Sequence, residues 1–367
     1  FIALILAALV AALNSASVYS LASHVERAGG IYAYSRHYVS DSISFVAGFV
    51  FVFGKIGSIA AIAWIFGDYL AIGNHQLVAV SAIVALTLLN ILGINRTATA
   101  AAVIAVTVTA YLTLSALSSN LSPFASQPIQ FGLSDLSGVL PAASLIFFAF
   151  AGYARVATLG DEVREPRRNI PRAILISLSG VLIIYLLLSL GLVRVIGSEL
   201  SQLTQPMLAL NMAVNPWMPG WVGQLVAAVA SLGSMLALLA GVSRTAATMA
   251  EDRELPKAFA RRNRFGSPWL AEVIIAVGSI AVFFFNGYLP WIIGFSSFSV
   301  LLYYSIGHVS VFRQPVGERG SRVAAAAGFV LCVLLMFAVP GPAVWVSLLV
   351  IGLALGIRAV ASKLLKG

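Results

Sequence analysis

Phe147-Phe148-Ala149-Phe150-Ala151-Gly152-Tyr153-Ala154-Arg155-Val156-Ala157-Thr158-Leu159-Gly160-Asp161-Glu162-Val163-Arg164-Glu165-Pro166-Arg167-Arg168-Asn169-Ile170-Pro171-Arg172 begins as an apolar helix, weakens at Ala151-Gly152 and then runs into dense charge. Glycine disfavours a helix by roughly 1 kcal/mol relative to alanine. Backbone groups freed inside hydrocarbon must be satisfied by protein or by a wet cavity. The stretch therefore reads as a membrane helix broken in mid-bilayer. Such a break exposes half-helix termini that hold the charged ends of a small molecule, so it marks a candidate binding site.

The rest of the chain fits that environment. Of 367 residues, 60% are hydrophobic and 10% charged, and the mean hydropathy is +0.97, which places the chain among all-α polytopic membrane proteins. Crossing a ~30 Å hydrocarbon core takes about 20 apolar residues. Eleven runs are expected to do so: 1 to 22, 42 to 72, 76 to 94, 98 to 118, 138 to 160, 170 to 196, 220 to 250, 268 to 286, 289 to 312, 322 to 339 and 342 to 357. The chain opens at Phe1 inside an apolar run, without an initiator Met or a basic leader, and the expectation is that a further span precedes it.

The basic residues fall in alternate loops and the C-terminal tail: Arg27 and Arg36; Arg96; Arg164, Arg167, Arg168 and Arg172; Arg253, Lys257, Arg261, Arg262 and Arg264; Arg313, Arg319 and Arg322; Arg358, Lys363 and Lys366. Loops 119 to 137 and 197 to 219 contain none. By the positive-inside rule the basic loops and the C-terminus are cytoplasmic, which accounts for the +9 net charge. Charge split among short loops is not a nucleic-acid surface. The single Cys332 excludes an internal disulfide and reads as a packing residue.

Lys55, in Phe53-Gly54-Lys55-Ile56-Gly57-Ser58, is too far from either end of its run to snorkel. It is a candidate for proton coupling or for a fixed positive charge in the site, against the alternative of a structural lysine held by carbonyls. Arg155 must face a cavity, pair with an acid or snorkel. Phe148, Phe150 and Tyr153 surround the break and either pack or close over a ligand. Gly54 and Ser58 share one helix face.

Three blocks, Glu162-Val163-x-x-Pro166-x-x-Asn169-Ile170-Pro171-Arg172, Arg27-Ala28-Gly29-Gly30-Ile31-Tyr32, and Ser243-Arg244 followed by Met249-Ala250-Glu251-Asp252-Arg253-Glu254-Leu255-Pro256, carry a resemblance to the amino acid–polyamine–organocation superfamily of permeases. The resemblance implies twelve spans, the first of them absent here, with spans one to five and six to ten related as an inverted repeat. It implies one transporter domain: 1 to 118 as the remainder of the first repeat, 138 to 312 as the second, and 322 to 364 as two accessory helices. By position it makes Phe148 a gating aromatic, Ala151 and Gly152 the backbone contact, and Gly54, Ser58, Ser296 and Ser297 pocket residues. Back-bonding to the helix remains the alternative for the two serines. A common family pattern has an acid where Ala154 stands, so that acid's role does not transfer. Some relatives also carry a lysine in the fifth family span; the run Ala102 to Leu117 offers Thr107 and Thr109 instead.

The expected function is secondary transport of amino acids by alternating access in a bacterial inner membrane, with the proton as a candidate coupling ion and no cofactor. Exchange, or transport of polyamines or other organocations, is the alternative. An enzyme is disfavoured because His24, His37, His75 and His308 are scattered without metal-ligand spacing, and there is no phosphate-binding loop.

Overall fold

The computed structural model describes residues 1–25, 29–70, 72–93, 95–123, 133–152, 165–285, 288–315 and 319–364. Among these residues the regular structure is entirely helical. The long elements are α1 (Ile2–Ala22), α3 (Asp41–Leu70), α5 (Asn95–Leu121), α7 (Pro166–Val195), α9 (Gly220–Glu251), α11 (Leu289–Phe312) and α13 (Ala343–Leu364). Between them lie α2 (Ile31–Tyr38), α4 (His75–Ile91), α6 (Val139–Phe150), α8 (Pro206–Val214), α10 (Trp269–Phe285) and α12 (Arg319–Phe337).

Among the described residues seven helices are long and apolar enough to cross a membrane, and this corrects the expectation of eleven visible spans out of twelve. The runs at His75–Ile91, Leu136–Phe150, Trp269–Phe284 and Ser321–Phe337 form apolar helices of at most 17 residues. At 1.5 Å per residue such a helix reaches about 26 Å, short of a ~30 Å core. Asn74 fixes where one of these helices begins: its side-chain oxygen accepts from the Gln76 and Leu77 N–H groups and caps α4.

The core is organised around α3, which packs against α2, α4, α9, α10, α11 and α13. Small residues make this possible. A Cβ added at Gly48 would lie 2.6 Å from the Met249 sulfur, and one at Gly57 would lie 3.0 Å from the Phe295 ring. In the absence of a hydrophobic drive between helices in lipid, such close backbone approach supplies the packing energy. The peripheral helices differ: α7 and α13 keep Ile176, Ile183, Trp345 and Leu349 exposed, as helices facing hydrocarbon do.

At one end of the bundle, α2, α9 and α13 are joined by charge. Arg358 donates from Nε to Glu254 Oε2 at 2.7 Å and from Nη2 to Oε1 at 2.9 Å, a bidentate pair. Arg36 Nη1 reaches the same Glu254 Oε1 at 3.4 Å, and the Tyr32 hydroxyl donates to Asp252 at 2.9 Å. Burial first, and then the bond to Asp252, holds that hydroxyl protonated well above the ordinary tyrosine range.

Candidate functional site

The broken run ends where the sequence weakens. Helix α6, 12 residues long, stops at Phe150, and Ala151 is its C-terminal cap with φ −69° and ψ 3°. The run 138 to 160 is thus not one continuous helix through Gly152. Tyr153 and Arg155 lie outside the described residues. The last carbonyls of a helix have no partner within it, and here side chains from other helices supply some of them. Lys55 Nζ donates to the Ala151 carbonyl at 3.3 Å, and the Tyr185 hydroxyl of α7 donates to the Ala149 carbonyl at 3.3 Å. The Ala151 N–H turns back to the Phe148 carbonyl.

This helix end is buried on one side only. Phe150 and Ala151 are buried, Phe148 is half-buried against the core, and Gly152 is exposed with nothing within 4 Å of an added Cβ. The Phe150 ring meets Tyr185 edge-on at 5.3 Å, and Phe147 meets Tyr304 of α11 at 6.3 Å. Lys55 itself is 3% exposed in the middle of α3. A lysine placed there by sequence alone is costly to insert, so its contact with a helix terminus is the feature that ties α3 to the break.

The α3–α11 interface carries the other expected residues. The Ser58 and Ser296 hydroxyls share a 2.5 Å hydrogen bond, and Ser58 also donates to the Gly54 carbonyl at 3.4 Å. A Cβ at Gly54 would collide with the Ser299 Cβ and lie 3.5 Å from the Ser296 carbonyl. Gly54, Ser58 and Ser296 are therefore brought together, but as a closed helix contact and not as walls of an open cavity. Ser297, 1% exposed, has a hydroxyl with no hydrogen-bond partner among the described residues. That makes it the serine of the pair with capacity to spare.

Sequence reasoning missed a second polar cluster. His308 of α11 meets Ser17 Oγ through Nδ1 and Asn14 Oδ1 through Nε2, both at 2.8 Å, and the Cys332 thiol of α12 donates to Asn14 Oδ1 at 3.2 Å. All four side chains are buried and join α1, α11 and α12. Spacing gave no signal for it, because Asn14 and Cys332 are 318 positions apart.

The comparisons with known proteins agree with one another. The family model described as amino acid permease matches residues 1–358. An uncharacterised transporter of Mycobacterium tuberculosis is 38% identical over 372 residues, covering 98% of this chain and 83% of the relative. Cationic amino acid transporter 5 of Arabidopsis thaliana is 32% identical over 175 residues, 46% of this chain and 29% of the relative. The methylthioribose transporter of Bacillus subtilis is 28% identical over 258 residues, 65% of this chain and 51% of the relative.

Proposed function

The chain belongs to the amino acid permease family of the amino acid–polyamine–organocation superfamily, and from that premise we propose that it carries amino acids across the membrane as a secondary transporter working by alternating access. It is a multi-pass membrane transporter, and its family is one of transporters, not enzymes. The finer reading rests mainly on one observation: a helix that stops at the weak Ala151-Gly152 pair, with the carbonyl of its buried cap residue Ala151 met by a charged side chain of the central helix.

Such an end offers carbonyl groups to the ammonium of a substrate without any further break in the hydrocarbon. Phe148 stands one turn before the end and is the aromatic we assign to closing over the substrate. Ser297 adds an unengaged hydroxyl. The tight α3–α11 contact through Gly54, Ser58 and Ser296 is the part that would separate and re-form as the site changes sides. We assign the basic loops and the C-terminus to the cytoplasm of a bacterial inner membrane on the positive-inside rule. One relative is a cationic amino acid transporter and another a methylthioribose transporter, so transport of a cationic amino acid is the second reading.

Radiolabelled uptake into proteoliposomes across an amino acid panel, with and without a pH gradient, tests the proposal. Saturable uptake with counterflow of at least one amino acid is expected, and the gradient arm reads proton coupling directly. Flux that does not saturate and shows no counterflow would mean a channel and would end the alternating-access reading.

A further inference from the structure

Among the described residues Lys55 is a buried cation with one hydrogen-bond partner. Its ammonium has three donors, and the structure gives it a single hydrogen bond, to the Ala151 carbonyl at 3.3 Å. That is long for a charge-assisted bond, which normally falls near 2.7–2.9 Å. Among the described residues no carboxylate reaches it. Asp41 and Asp68, the acids of α3, stand near its two ends, each about 20 Å along the helix from Lys55. The other acids packed near the core are engaged elsewhere: Asp252 with Tyr32, Glu254 with Arg358, and Glu272 with Ser267 and Ser243. A buried charge left on one carbonyl dipole is poorly compensated, and buried charges in folded proteins are normally paired.

We infer, resting on the transporter reading above, that Lys55 is the fixed counter-charge for the substrate's carboxylate, so that the site takes zwitterionic or anionic amino acids and rejects cationic amino acids and polyamines. Binding is an exchange of partners. The carboxylate draws the Lys55 ammonium away from Ala151, and the freed Ala151 carbonyl accepts from the substrate's own ammonium. One side-chain movement thus prepares both ends of an α-amino acid. A polyamine brings no carboxylate and a second cation beside Lys55, where repulsion in a low-dielectric site is strong. An arginine side chain adds the same penalty.

The test uses the full chain in proteoliposomes with alanine, leucine, glutamate, arginine and putrescine as labelled substrates. The wild type is expected to carry neutral or acidic amino acids and to leave arginine and putrescine at background. Lys55→Met is expected to raise KM for the transported amino acid about tenfold or more with a smaller change in kcat, the pattern of a lost binding contact. Arginine or putrescine carried by the wild type as well as the neutral amino acids overturns the inference, and so does an unchanged KM in Lys55→Met. Should that variant fail to fold, competition on the wild type decides. Methyl esters and amides of the transported amino acid are expected not to compete, and competition equal to that of the free amino acid overturns the inference. Failure of the parent reading looks different: the wild type would then take up none of the amino acids, whatever stands at position 55.

Discussion

Replacing Gly54 with Ala tests whether the α3–α11 contact is as tight as the structure has it. The added Cβ would collide with the Ser299 Cβ and stand 3.1 Å from the Ser299 hydroxyl. Ordinary carbon contacts are about 3.5–4.0 Å, and a Cβ is fixed to its helix, so no rotamer change relieves the overlap. The helices must separate by on the order of 1 Å. Overpacking of this kind costs roughly 1–3 kcal/mol, and separation also stretches the 2.5 Å Ser58–Ser296 bond, worth about 1 kcal/mol when intact. The sum, about 2–4 kcal/mol, disfavours the closed contact by roughly 30- to 700-fold at about 1.4 kcal/mol per tenfold. Thermal melting in detergent and initial uptake rates are the assays, with Gly54→Ala expected to lower both. Ser299→Gly in the same chain removes the obstructing Cβ, and the double variant should recover most of the loss; the non-additivity is the signature of a direct contact. A Gly54→Ala protein with unchanged melting and uptake, or one that Ser299→Gly fails to rescue, would refute the reasoning.

Gly152→Ala meets no steric obstacle but favours continuing the helix by roughly 1 kcal/mol, so uptake should fall several-fold while melting is unchanged; full activity would show that the break needs no glycine. Gly328→Ala would push a Cβ into the His308 ring and break its bonds to Ser17 and Asn14, for a loss of about 2–4 kcal/mol by overpacking and unsatisfied polar groups. Melting in detergent reads it, and an unaltered melting curve would mean that the cluster does not hold α1, α11 and α12 together. Arg358→Ala should cost about 1–3 kcal/mol by stripping Glu254 of its bidentate partner. Arg358→Lys should recover only part of it, because an ammonium cannot form the fork. Full recovery by lysine would reduce the pair to simple charge.

Much of the helical layout was legible because apolar runs and their ends carry local signals. The run 289 to 312 coincides with α11, and 220 to 250 is within a residue of α9. The weakness read at Ala151-Gly152 is where α6 stops. Length was the poorer guide: apolar content extends runs such as 76 to 94 past Leu92, but the helix ends at Ile91, and a run counted as a span becomes a 17-residue helix. The run expected from 170 begins earlier, as α7 starts at Pro166, whose fixed φ suits the first turn. Lys55 was recognisable as anomalous from its place in an apolar run. Its partner was not, since a hydrogen bond between positions 96 apart leaves no trace in spacing. The same holds for Ser58 with Ser296 and for the histidine that joined Asn14 and Cys332.

That separation along the chain matters during synthesis. At about 5–20 residues per second, Ala151 is polymerised roughly 5–20 s after Lys55. Through that interval α3 sits in or beside the insertion machinery with an ammonium that has no carbonyl to meet, at an insertion cost of about 2.5–3.5 kcal/mol. Its neighbours offset this: Phe45, Val50, Phe51, Ile56 and Ile59 surround the lysine along the same helix. The apolar excess of α3 thus serves the nascent chain as well as the finished one. Ser296 is made later still, so the central helix waits for α11 until most of the polypeptide has left the ribosome.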